Sequence, residues 1–129
     1  IAATLVSVPG ASSYFKGSIV SYSAATKISL LKVSEEVIEK YSVVSKEVAE
    51  QMALSAKNQL HTDYAIAVTG NAGTTKDNND KSVGVVFIAI ATPKAIIVEE
   101  FNFGEPREKV IRRTVNKALE ILRKEIQKK

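Results

Sequence analysis

The chain has 129 residues, 45% apolar and 25% charged, with a net charge of +4. That length fits one domain with a real core, and the balance is that of a globular protein, not a disordered or fibrous one. With no cysteine and a single histidine, these residues exclude disulfides, thiolate metal sites, cysteine nucleophiles and a zinc cluster, and a reducing cytoplasm is the compatible compartment.

Residues 1–6 read as the end of a helix rather than a signal peptide, and Pro9-Gly10 breaks it. Residues 17–22 read as a buried strand. From Ala24 to Tyr41 the pattern is helical in two short pieces, with Ser34 as an N-cap ahead of Glu35 and Glu36. Ser45 opens the next helix in the same way, and Val48, Ala49, Met52, Ala53, Ala56 and Leu60 form the stripe of a helix laid on a sheet. His61 falls at its end, where a cationic side chain meets the last carbonyls. Tyr64 to Thr69 is a short strand ending in Gly70, and the polar run Asn71 to Ser82 is an exposed loop. Val83 to Ala91 and Ala95 to Phe103, joined by Thr92-Pro93-Lys94, predict an antiparallel hairpin. Glu105-Pro106 opens a last helix, whose stripe is Val110, Ile111, Val115, Ala118, Leu119, Leu122 and Ile126. The longest apolar stretch, residues 83–92, falls far short of the roughly 20 residues of a membrane helix.

Helices before and after strands predict a three-layer α/β/α sandwich with a mixed, mostly parallel sheet. Ligands collect beyond the carboxyl ends of such strands, which selects residues 22–27 and 69–73. Lys27, in the first turns of a helix near Tyr22 and Ser23, is either an exposed helix lysine or, if desolvated, a base able to take a hydroxyl proton. Thr69-Gly70-Asn71-Ala72-Gly73 is either a tight turn or a cradle of backbone amides for a phosphate or an oxyanion, and it lacks the lysine of a Walker loop. Arg107, after Phe101-Asn102-Phe103-Gly104, suits a phosphate or a structural salt bridge. Half of the 18 basic residues lie from Arg107 onward, and a solvated helix face accounts for them better than a nucleic-acid surface.

The ordered set Val8-Pro9-Gly10-Ala11-Ser12, Tyr14-Phe15, Gly17-Ser18-Ile19-Val20, Tyr22-Ser23 and Lys27 resembles the CinA C-terminal domain family of nicotinamide mononucleotide amidohydrolases. Leu30-Leu31 with Val33, Val44-Ser45, Asp63 to Gly70, Ala72-Gly73, Val83-Gly84 and Phe101 to Arg107 continue it in order, so the resemblance spans essentially the whole chain as one domain, residues 1–129. It implies hydrolysis of the nucleotide's carboxamide to nicotinate mononucleotide and ammonia, with no cofactor or metal, a small-molecule nucleotide as partner, and room for a homo-oligomer. It further implies Lys27 as general base and Tyr22 as a positioning or polarising group. Thr69, Gly70, Ala72 and Gly73 would form the substrate loop, Ser45 would line the pocket, and Gly104 with Arg107 would serve the phosphate side. The family's Glu-Ser-Cys-Thr-Gly-Gly motif, whose serine is the nucleophile, is expected just before Ile1 together with a strand. These residues alone would then be an N-terminally incomplete domain without a nucleophile. Ala24, Asn71, Thr74 and Ser82 depart from the family pattern. The alternative is a noncatalytic nucleotide-binding module of the same fold.

Overall fold

The computed structural model describes residues 1–72 and 83–128. Three of its helices begin where serine hydroxyls satisfy amides that lack an acceptor one turn back. After a short α1 (Ala2–Val6) and a 3-10 turn (Ala11–Ser13), α2 (Ala24–Leu31) starts at Ser23. Ser23 Oγ accepts the Thr26 N–H at 3.1 Å, and the Ser23 N–H donates to Thr26 Oγ1 at 3.1 Å, a reciprocal capping box. As predicted, α3 (Glu35–Tyr41) is capped by Ser34 and α4 (Lys46–Leu60) by Ser45. His61 ends α4 through its main chain, at φ 53° with its N–H bonded to the Lys57 carbonyl.

Three strands, β1 (Ala65–Gly70), β2 (Val85–Ala91) and β3 (Ile96–Asn102), pair in the order β1-β2-β3, both pairs antiparallel. The predicted hairpin is present. Ala91 faces Ile96, and Thr92 Oγ1 accepts the N–H groups of Lys94 and Ala95 at 3.2 and 3.0 Å. The parallel pairing expected of the sheet is not found among the described strands. It required residues 17–22 as a buried strand, yet they carry no ladder, and Val20 and Tyr22 are 82% and 85% exposed. The architecture is therefore mixed α/β, with helices packed on a three-stranded antiparallel sheet.

Alternation along β2 sends its side chains to two cores. Ala89 and Ala91 join Ala67 of β1 and Val48, Ala49, Met52 and Ala53 of α4, while Val86, Ile88 and Ile90 meet Val110, Ala118 and Ile121 of α5 (Arg107–Gln127). Small side chains on both surfaces let α4 lie close to the sheet. On α5 the buried stripe is rotated from the predicted one. Thr114 and Ile121 are buried, and Ile111 is 48% exposed. Thr114 tolerates this because its hydroxyl donates to the Val110 carbonyl at 2.7 Å. Among the described residues no helix is long and apolar enough to cross a membrane.

Candidate functional site

β1 is an edge strand, and a cleft of about 1380 Å³ runs along it. Residues 14–22 wall one side, the turn Ser42–Val44 closes part of another, and Lys27 and Arg107 contribute side chains. The cleft therefore gathers residues from α2, the α3–α4 turn, β1 and the start of α5.

Lys27 reaches it from the first turns of α2. Its Nζ donates to the Ser21 carbonyl at 2.8 Å, and partial burial pushes its pKa below the ordinary 10.5, because a desolvated ammonium loses hydration. The sequence left open an exposed lysine or a desolvated one; the half-buried amine is the second. Ser23 offers no free hydroxyl beside it, being committed to the α2 cap.

Tyr22 and Arg107 meet at the same cleft although 85 residues apart, the guanidinium donating to the phenol oxygen at 3.5 Å. Gly104, which does not line the cleft, prepares that meeting. It turns at φ 74° with its N–H on Asn102 Oδ1 at 3.0 Å, just ahead of α5. Its close neighbour is Gly84 at φ 87°, where an added Cβ would lie 2.6 Å from the Gly104 nitrogen.

Thr69, Gly70 and Ala72 line the cleft beside Asn71, while Gly73 lies outside the described residues. The absence of a side chain at Gly70 serves the sheet, since a Cβ there would stand 2.8 Å from Val86 Cγ2 and 3.2 Å from the Val85 carbonyl. The buried Thr69 hydroxyl donates to the Val43 carbonyl at 2.7 Å. Ser45 is also buried and does not line the cleft. Its Oγ accepts the Val48 N–H at 3.2 Å and donates to the Ser42 carbonyl at 2.9 Å. Of the nine residues selected from the sequence, Lys27, Tyr22, Thr69, Gly70, Ala72 and Arg107 thus share one cleft, and Ser45 and Gly104 stand behind it. The connection over residues 42–44 falls where the helical patterns leave a gap, but its place in the cleft was not foreseen, because its chemistry is carried by backbone groups.

On α5, Lys117 and Lys124 both pair with Glu120, at 3.4 and 3.3 Å, and Lys128 pairs with Glu125 at 2.8 Å. Those pairs neutralise part of the basic tail within the helix itself.

Residues 1–126 match the family model described as the CinA C-terminal domain. A CinA-like protein of Flavobacterium psychrophilum is 56% identical over 128 residues, covering 99% of this chain and 31% of that protein. One from Endomicrobium trichonymphae is 41% identical over 126 residues, covering 98% of this chain and 29% of that protein. The chain thus spans less than a third of the length of these relatives. Among solved structures, the competence damage-inducible protein A of Klebsiella pneumoniae superposes with a TM-score of 0.91 at 25% identity, covering 98% of this chain and 78% of that one. The competence/damage inducible protein CihA of Agrobacterium tumefaciens gives 0.88 at 31% identity, covering 94% and 74%.

Proposed function

The chain belongs to the CinA C-terminal domain family, and on that premise we propose that it forms the substrate cleft of an amidase that converts nicotinamide mononucleotide and water to nicotinate mononucleotide and ammonia. The observation that carries the reading is the desolvated amine of Lys27, lining the same cleft as residues 69–72 at the end of β1, with Arg107 and Tyr22 paired at that cleft.

The chemistry is a serine acyl transfer. Neutral Lys27 takes the proton of a serine from the family motif expected ahead of Ile1, and the serine oxygen adds to the carboxamide carbon. Backbone amides at the end of β1 hold the oxygen as it becomes an anion, ammonia leaves with the proton Lys27 accepted, and water releases the acid. Arg107 holds the phosphate. In the same reading, the strand expected ahead of Ile1 supplies the parallel part of a three-layer sandwich.

The test is ammonia release from nicotinamide mononucleotide by the full-length protein. Turnover rises with pH to a midpoint below 10.5, because the base works only when neutral and burial has lowered its pKa. Lys27→Ala abolishes it, and turnover retained in that variant removes Lys27 as the base. The second reading, a nucleotide-binding module without catalysis, is favoured by the commitment of Ser23 to its helix cap. Calorimetric binding of the nucleotide without ammonia release would select it.

A further inference from the structure

The turn joining α3 to α4 is held in an unusual shape. Ser42 adopts φ 80° and ψ 158°, a region that residues with side chains rarely occupy. Such a conformation persists when its surroundings over-determine it, and here four hydrogen bonds do so. The Ser42 N–H donates to the Ile38 carbonyl at 2.8 Å, Ser45 Oγ donates to the Ser42 carbonyl at 2.9 Å, Thr69 Oγ1 donates to the Val43 carbonyl at 2.7 Å, and Ser42 Oγ accepts the Val44 N–H at 3.3 Å. Among the described residues, the Val43 N–H is left without a protein acceptor, in a turn that lines the cleft.

Thr69 and Ser45 each carry one hydroxyl hydrogen, and both are donated to this turn. Neither has a donor left for a ligand. Ser45 has in addition given a lone pair to the Val48 N–H.

We propose that the Ser42–Val44 turn is a rigid backbone wall of the cleft that presents the Val43 N–H to an acceptor oxygen on the pyridine ring substituent of the bound nucleotide, and that Thr69 and Ser45 are positioning residues acting through it. The substrate class rests on the amidase reading above. The geometry of the wall rests on the hydrogen bonds alone. A pre-fixed amide donor binds its acceptor without first ordering a loop.

Calorimetry on the full-length protein tests this with two probes, nicotinate mononucleotide and the pyridine mononucleotide that lacks the ring substituent. Thr69→Val removes the hydroxyl at nearly constant volume, and it weakens binding of nicotinate mononucleotide roughly fivefold, the range of one lost hydrogen bond. Thr69→Ser restores it, and the pyridine nucleotide binds wild type and Thr69→Val alike. Val43→Pro deletes the donor with Thr69 intact and gives the same selective loss, which keeps the test open should Thr69→Val fail to fold. Equal loss in Thr69→Val and Thr69→Ser, or a penalty that persists with the pyridine nucleotide, overturns the wall. If neither nucleotide binds wild type and no ammonia is released, the amidase reading falls and takes the ligand assignment with it.

Discussion

The two long sides of β1 obey different rules. Toward β2 the strand is zipped from Ala65 opposite Ala91 to Gly70 opposite Val86, and the hairpin beyond it is sandwiched between α4 and α5. Toward the cleft there is no described ladder; Lys27 and Thr69 there bond to the Ser21 and Val43 carbonyls, and Ser45 behind it bonds to the Ser42 carbonyl. One side is stabilised by area removed from water, the other by a few directed bonds. Mutations on the first should therefore move stability, and mutations on the second should move the shape of the site.

The largest effect is expected on the packed side. Ile88→Ala, at a 1% exposed position between β2 and α5, should cost about 2–5 kcal/mol in urea unfolding, from lost transfer energy and the cavity left behind. A cost below about 1 kcal/mol would show that this core is loosely packed and that the β2 side of β1 is not held by buried area. Gly84→Ala comes next. At φ 87° and crowded by Gly104, it should cost about 1–3 kcal/mol, measured in the same way. Ser45→Ala removes the α4 cap and one tie to the turn, so about 0.5–2 kcal/mol is expected; its melting curve should shift less than that of Ile88→Ala.

The smallest effect has the opposite sign. Burial lowers the Lys27 pKa from 10.5, so the unfolded chain holds that proton more tightly than the folded one. The resulting penalty is present below the lowered value and vanishes as pH rises toward 10.5. Lys27→Met should thus stabilise the fold at neutral pH by a few tenths of a kcal/mol, the scale of surface substitutions, with a gain that fades on titration. A gain that grows with pH would mean that Lys27 is better stabilised as a cation than its surroundings indicate.

The same contrast explains what the sequence made legible. Periodicity reports packing, so the α4 stripe, the hairpin and the hydroxyl caps at Ser34 and Ser45 were readable residue by residue. Periodicity misled where an apolar run is covered on one face alone. Ile19 packs against the α4 core and Ser21 is buried, but Val20 and Tyr22 on the other face are exposed. The α5 stripe slipped because Thr114 satisfies its own hydroxyl within the helix, which hydropathy does not count. In the cleft, Lys27, Tyr22 and Arg107 were found from strand ends and from likeness to a family, which identify side chains. The shape of the Ser42 turn was invisible to both, since one of the bonds that hold it comes from a threonine hydroxyl on β1, 26 residues downstream of the carbonyl it binds.

The contact between Arg107 and Tyr22 joins the opening of the last helix to a residue 85 positions earlier. A chain caught with either end still undocked has no such junction, however well its hairpin has formed. If the proposed nucleotide binds there, its capture would double as a sensor of complete assembly, reporting the finished tertiary structure where circular dichroism would report only helices and strands.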